Sequence, residues 1–220
     1  MKTIFDFLTE LKKNNNRDWF NVNKEWYSRS LEEFRNLTGQ LILGINKIDP
    51  FIGYPEPKDC IFRIYRDIRF SPNKDPFKPN FGAYIAKGGR KSIYAGYYIH
   101  VEPENSFLSG GIYMASPAVM KQIREDIEIY SDDFLKIVND KGFPKTFNFF
   151  DEEKLSRVPQ GFDKNSPVAE FLKFKHIAPF HALSDGELFS KDFLNDSLKI
   201  YGLLKSLNDF INRAIMGMAN

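Results

Sequence analysis

The stretch SIYAGYYIHVEPENSFLSGGIYM, residues 92–114, decides the fold because it predicts a β-hairpin. Apolar and polar residues alternate over Ser92 to Val101 and again over Phe107 to Met114, the period-two pattern of half-buried strands. The segment EPENS between them is rich in turn formers, so we expect the two strands to pair antiparallel. The faces predicted for the first strand are Ile93, Ala95, Tyr97, Ile99 and Val101 on one side, and Tyr94, Tyr98, His100 and Glu102 on the other.

Further elements are predicted on both sides of this hairpin. The additional strands are expected at Ile61 to Arg66, Phe81 to Lys87 and in HIAPFHAL, residues 176–183. Helical spacing of apolar residues predicts a first helix capped at Thr3 and a long second helix that begins after Asn14 to Asn16 and ends at Asp49-Pro50. A third helix is predicted from Ser116-Pro117 to Tyr130. The remaining predicted helices are Asp132 to Asn139, Pro167 to Lys175 and Ser190 to Ile215. We therefore expect one α+β domain over residues 1–220, with a mainly antiparallel sheet packed with helices, a helical N-terminal part (3–49) and a sheet-containing body (60–215).

Composition narrows the class of protein. The 220 residues are 42% hydrophobic, enough for a packed core, and contain one cysteine, Cys60, so no internal disulfide or cysteine-based zinc site is expected. Asp6 and Glu10 interrupt the N-terminal apolar residues, and no apolar run approaches the ~20 residues that span a bilayer. We expect a cytoplasmic protein that has no membrane partner, cofactor or metal.

Positive charge is concentrated in the segment FRIYRDIRFSPNKDPFKPN, residues 62–80, which we call the basic segment. The rest of the chain is close to neutral, which argues against a long polyanionic partner. Strand alternation would place the guanidinium groups of Arg63 and Arg69 on one face around Asp67, with Phe62, Ile64 and Ile68 buried on the other. The other cations of the basic segment are Arg66, Lys74 and Lys78. Its loop also contains three prolines, Pro72, Pro76 and Pro79.

These residues predict a pocket for a small phosphorylated or carboxylated ligand, because paired guanidinium groups match the oxygens of such anions. His100 is the candidate general base, oriented by Glu102, and Asp67 is a second catalytic candidate. The candidate ligand-binding residues are Arg63, Arg66, Arg69, Lys74, Lys78, Tyr98 and Arg157. The sequence assigns no reaction, ligand identity or oligomeric state.

Two other interpretations of the basic segment stay open. The same cations would contact nucleic-acid phosphates if Phe70, Tyr94 and Tyr98 stacked on bases. Alternatively, Arg63, Asp67 and Arg69 form an ion-pair network that only supports the fold, as surface pairs commonly do.

Four segments carry a resemblance to a known family: NNNRDWF, RIYRDIRFSPNKDPFKPN, GYYIHVEPENSFLSGGIYMASP and LSRVPQGFD. In this order they resemble the signatures of the domain of unknown function 2461 family of bacterial and fungal proteins, over about Phe5 to Phe210. The resemblance implies a single α+β domain and no particular activity. The positions that match its motifs are Arg17, Trp19, Phe20, Arg63, Arg66, Asp67, Arg69, Phe70, Lys74, Pro76, Lys78, Tyr98, His100, Gly110, Gly111, Arg157, Pro159 and Gly161.

Overall fold

A computed structural model describes residues 1–150 and 154–218, and over these residues it confirms an α+β fold. One antiparallel sheet has the strand order β1-β2-β3-β4. Its strands are β1 (Phe81–Ile85), β2 (Gly96–Val101), β3 (Ser106–Gly111) and β4 (Phe180–Leu183). The helices are α1 (Lys2–Lys13), α2 (Arg17–Val22), α3 (Lys24–Ile48), α4 (Pro57–Cys60), α5 (Pro117–Ile129), α6 (Ser131–Val138), α7 (Phe143–Thr146), α8 (Ala169–Leu172), α9 (Asp185–Leu188) and α10 (Phe193–Gly217). None of the helices in these ranges has both the length and the apolar character needed to cross a membrane.

The predicted hairpin is confirmed, and one face of its sheet forms the core. Strands β2 and β3 pair antiparallel, with Ile99 opposite Leu108, and both residues are fully buried. On this face the ring of Phe81 in β1 stacks on Phe34 of α3 with a centroid separation of 5.4 Å, and Tyr97 meets Tyr201 of α10 edge to face at 5.3 Å. The two long helices therefore cover one side of the sheet and leave the other side for a site.

Two buried asparagines of α10 join the helix to the sheet. Asn208 accepts a hydrogen bond from the Gly111 amide at 2.9 Å and donates one to the Gly96 carbonyl at 3.1 Å. One helical turn later, Asn212 accepts from the Ala95 amide at 2.8 Å. These side chains satisfy backbone groups where the ladder between β2 and β3 ends, which removes the cost of burying them unpaired.

The strand predicted at Ile61 to Arg66 is wrong, because the structure contains only isolated bridges there, from Ile61 to Ala83 and from Tyr65 to Phe77. The chain folds back on the end of its own loop, since the Lys78 amide donates to the Ile64 carbonyl at 2.8 Å. Prolines have no amide hydrogen, so Pro76 and Pro79 stop this pairing from extending into a ladder. Alternation is lost as a result, and Phe62 is 37% exposed whereas Ile64 is 1% exposed.

Several element boundaries also differ from the predictions. The long second helix is two helices that meet at Asn23, and Val22 at the end of the first is 86% exposed. Strand β2 begins at Gly96 rather than Ser92, and the helix predicted at Pro167 to Lys175 is only the short α8. The start of α5 is confirmed, because the hydroxyl of Ser116 accepts from the Val119 amide and Pro117 occupies the first turn.

Candidate functional site

A cavity of about 750 Å³ lies on the sheet face opposite α10, and we call it the sheet-face cavity. Its floor consists of side chains that alternate with the core residues along three strands: Tyr84, Tyr98, His100, Phe107 and Ser109. Residues 110–116, from the end of β3 to the start of α5, and the residues around Phe62 and Lys78 form its walls. Small-molecule sites commonly have this volume and this mainly apolar lining.

The charged groups that line the described part of this cavity are all cationic. They are Lys78, Arg90 and Lys91, and no aspartate or glutamate lines it among residues 1–150 and 154–218. The half-buried Lys78 has its pKa lowered, first by burial and then by the positive charge of Arg63. The N-terminal end of α5, at Ser116, borders the same space and adds the positive end of a helix dipole. Positive charge is therefore present on the described walls of the cavity.

Two side chains of the cavity floor, Tyr98 and His100, form a hydrogen-bonded chain with Glu102, a neighbour outside the described lining, and we call these three residues the polar chain. The Tyr98 hydroxyl lies 3.0 Å from His100 Nδ1, and His100 Nε2 lies 3.0 Å from Glu102 Oε2. Burial would raise the pKa of Glu102, but hydrogen bonds from His100 and Asn105 and nearby positive charge lower it on balance. Burial raises the pKa of the Tyr98 hydroxyl, so that group stays protonated.

The structure brings together Lys78, Tyr98 and His100, three of the predicted site residues, around this cavity. It does not bring Arg63, Asp67, Arg69, Lys74 or Arg157 to the described lining. Arg69 and Asp67 form an exposed bidentate pair with distances of 2.9 and 2.7 Å, and hydrogen bonds from Arg69 lower the pKa of Asp67. Lys74 donates to the Ile68 carbonyl at 3.2 Å, and Arg63 and Arg157 are exposed.

The residues predicted to share one pocket therefore do not all line the described part of the sheet-face cavity. The bend at Ile64 and the proline-rich loop carry Asp67 to Lys74 away from the sheet, whereas Lys78 lies after the loop has returned. Regular alternation, which placed Arg63 and Arg69 on one face around Asp67, requires a strand that this segment does not form. Phe62, expected in the core, instead lines the cavity, and the Lys78 ammonium lies 5.6 Å from its ring centroid.

Arg66 lines a different and smaller cleft of about 240 Å³. Arg17, Tyr65 and Phe77 also line this cleft, so the segments NNNRDWF and RIYRD meet there. Arg66 Nη2 lies 3.3 Å from the Ser71 hydroxyl. The motif positions are thus divided between two places in the fold.

Sequence reasoning missed several residues of the sheet-face cavity, namely Asn80, Arg90, Lys91 and Phe107. The Phe107 ring stacks on His100 with a centroid distance of 4.6 Å and an interplanar angle of 11°. The register of the hairpin could have predicted this contact, because Phe107 is paired with His100 across the two strands. The pair Arg90 and Lys91 lies in a 3₁₀ turn and carried no comparable signal.

The exposed ion pair gives a first prediction, which concerns stability. We expect Arg69→Met to leave the free energy of unfolding almost unchanged, because the Arg69 side chain is 75% exposed and such pairs are screened by water. Urea unfolding of both proteins measures this change. A loss of several kcal/mol would show that the pair is a structural network that supports the fold.

The described residues contain neither a metal-binding cluster nor an exposed cysteine. Over 1–150 and 154–218 there is no group of three or more histidine, cysteine or acidic side chains placed to hold a metal ion. Cys60 is buried, and burial raises the pKa of its thiol to about 12, which keeps it unreactive at neutral pH.

The fold and the cavity define a class: an α+β domain with a cationic, aromatic-floored cavity on the uncovered face of an antiparallel sheet. The chain belongs to the family described as conserved hypothetical protein of domain of unknown function 2461, whose match spans residues 3–210. Comparisons with curated proteins and with solved structures gave no match.

Proposed function

We propose that this protein binds a small organic anion in the sheet-face cavity, with the anionic group at Lys78 and an apolar body over the aromatic floor. The observation that carries the proposal is the lining: three cations, a mainly apolar surface and, among the described residues, no carboxylate. A cavity of about 750 Å³ accommodates a metabolite-sized molecule.

The surroundings of Lys78 support binding of the anionic group of the ligand. The charged group that affects the pKa of this lysine is a cation, Arg63, rather than a carboxylate, although the side chain is half-buried. Burial of a cation without a counter-ion is unfavourable, as the lowered pKa of Lys78 reflects. A bound carboxylate or phosphate would supply the missing charge.

The aromatic rings of the cavity floor support binding of the apolar part of the ligand. Phe62 meets Tyr98 edge to face at 6.2 Å, and Phe107 stacks on His100, so the floor presents ring surfaces on both sides of the Tyr98 hydroxyl. Such surfaces favour a planar or apolar body through burial and ring contacts. Benzoate, with one carboxylate on one ring, is the simplest probe that meets both requirements.

Calorimetry with paired probes tests the proposal. Benzoate and phenyl phosphate are compared with their neutral analogues benzamide and phenol, and aliphatic carboxylates complete the panel. We expect the anions to bind and the neutral analogues to bind at least about tenfold more weakly, because they lack the charge that Lys78 would pair with. Absence of binding by every anion at millimolar concentration would refute the proposal.

Removal of the Lys78 charge provides the residue-level prediction. We expect Lys78→Met to weaken benzoate binding about 10- to 150-fold, which corresponds to the ~1.5–3 kcal/mol of a hydrogen bond to a charged group. Lys74→Met is the matched control, since Lys74 is exposed in the loop and does not line the described cavity. Equal effects of the two substitutions would assign the attraction to overall charge rather than to the cavity.

The same lysine predicts a pH dependence. Only the protonated ammonium attracts an anion, and the pKa of Lys78 is lowered, so benzoate affinity should fall as the pH rises through that value, which lies below the ordinary 10.5. The charge of benzoate does not change over this range. In Lys78→Met the alkaline decline should disappear, and a decline that persisted would point to another cation.

Nucleic-acid binding by the basic segment stays an alternative proposal. One observation favours it: Phe70 is 93% exposed, with the Arg69 guanidinium 5.9 Å from its ring centroid. By contrast, Tyr98 faces the cavity and Tyr94 packs edge to face on Phe51 at 5.2 Å. Titration with a single-stranded oligonucleotide at several salt concentrations decides, since phosphate contacts give a steep decline of affinity with salt.

A further inference from the structure

The geometry of the polar chain determines where its hydrogens lie. An ionised carboxylate only accepts hydrogen bonds, and the pKa of Glu102 is lowered, so His100 Nε2 is the donor in the 3.0 Å contact with Glu102. A neutral imidazole then has an acceptor at Nδ1, and the Tyr98 hydroxyl donates to it at 3.0 Å. Both ring nitrogens are therefore engaged, and Tyr98 and His100 are the members of the chain that line the sheet-face cavity.

The surroundings hold the polar chain in this arrangement. Phe107 stacks on the imidazole, and a Cβ at Gly82 would lie 2.4 Å from Tyr98 Oη, so only glycine leaves room for the hydroxyl. The Asn80 amide nitrogen lies 3.5 Å from His100 Nδ1. The other titratable groups that face the chain are Lys78 in the cavity, Lys12 of α1 beside Glu102 and Tyr113 beside Tyr98.

We propose that Tyr98, His100 and Glu102 form an acid–base relay, in which His100 exchanges one proton with an oxygen of the bound anion through Tyr98 Oη. The relay rests on the proposed function, because the cavity must hold the anion. When His100 is protonated, Nδ1–H donates to Tyr98 Oη, and the hydroxyl hydrogen turns from the ring to the ligand oxygen. The Glu102 carboxylate stabilises the imidazolium.

The transfer step balances without a phenolate. The Tyr98 O–H bond breaks as the ligand O–H bond forms, and the His100 Nδ1–H bond breaks as a new Tyr98 O–H bond forms. The electron pair of the Nδ1–H bond stays on the nitrogen, so His100 becomes neutral, and solvent later returns its proton. Tyr98 is never ionised, which is consistent with burial of its hydroxyl. The reverse sequence takes a proton from the ligand.

Proton counting on benzoate binding tests the relay. Calorimetry at several pH values, in buffers of different ionisation enthalpy, gives the protons taken up per benzoate. We expect a clear uptake in the wild type, because the bound anion favours the protonated imidazole of the relay. In Tyr98→Phe, benzoate should still bind through Lys78 but with little uptake. Tyr54→Phe, at a ring that is 71% exposed, should match the wild type.

The outcomes separate the relay from the proposed function. Benzoate binding without proton uptake in the wild type, or equal uptake in Tyr98→Phe, would overturn the relay and leave anion binding standing. Absence of benzoate binding would count against the proposed function, and nitrogen-15 NMR of ligand-free His100 then decides the relay. The relay requires the tautomer with hydrogen on Nε2 at alkaline pH, and hydrogen on Nδ1 in that state would overturn it.

Discussion

We expect Gly111→Ala to lower the free energy of unfolding by at least about 3 kcal/mol, because two costs combine at this position. Gly111 has a φ of +88°, a conformation that a residue with a Cβ adopts only with strain. A Cβ there would also lie 2.0 Å from the Ile177 carbonyl oxygen. That oxygen is backbone and accepts from the Ile112 amide at 2.8 Å, so it cannot move aside without loss of the bridge.

Gly88→Ala is the matched control for this substitution. Gly88 has a φ of +87°, but nothing lies within 4 Å of a Cβ built on it. It should therefore show only the conformational cost, roughly 1–2 kcal/mol. Urea denaturation of the two variants and the wild type measures the difference. Equal losses would mean that the sheet relaxes around the added methyl group and that the close approach to Ile177 is unimportant.

Asn208→Leu should lower the free energy of unfolding by about 2–5 kcal/mol. Asn208 is fully buried, and leucine has a similar size but no polar atoms. The substitution leaves the Gly111 amide and the Gly96 carbonyl without their partner, and each unsatisfied buried group costs about 1–3 kcal/mol. Because Gly111 also lines the sheet-face cavity, amide hydrogen exchange should be faster at Gly111 in the variant.

Asn195→Leu, an identical replacement at an exposed position of α10, provides the comparison. Its effect should stay within about 0.5 kcal/mol, as is usual for surface substitutions. If Asn208→Leu were as mild as this, the asparagine would not be the group that secures the end of the hairpin to α10. Denaturant unfolding gives the free energy of unfolding of both variants, provided that the dependence of this free energy on denaturant concentration has the same slope in each.

The hairpin was predictable from the sequence because alternation is a local property. Tyr97, Ile99 and Val101 are apolar at every second position, and the structure buries all three. The start of α5 was predictable for a similar reason, since the capping contact of Ser116 involves a residue three positions away. The boundaries were less predictable, because the end of β3 at Gly111, which has a positive φ, accompanies a hydrogen bond to Asn208 far along the chain.

The candidate site was predictable only in part. Tyr98, His100 and Glu102 share one side of β2 by alternation, and the structure joins them by hydrogen bonds. Lys78 reaches the same cavity through the return of a loop whose course no local pattern specifies. The sequence indicated that Arg69 lies beside Asp67, but not that this pair is exposed while Lys78 is half-buried. Charge content led to the hypothesis of an anion site, but it did not indicate which cations line the cavity.

The sequence by itself determined that a hairpin carries a histidine between a tyrosine and a glutamate on the face opposite the core, because strand geometry follows from residue spacing. Only the tertiary structure decided that this face stays uncovered and becomes a cavity. That outcome depends on α3 and α10 both packing on the other face, and on Asn208 reaching the end of β3 across 97 positions of the chain. Contacts of such long range depend on the shape of the whole core, which no local spacing contains.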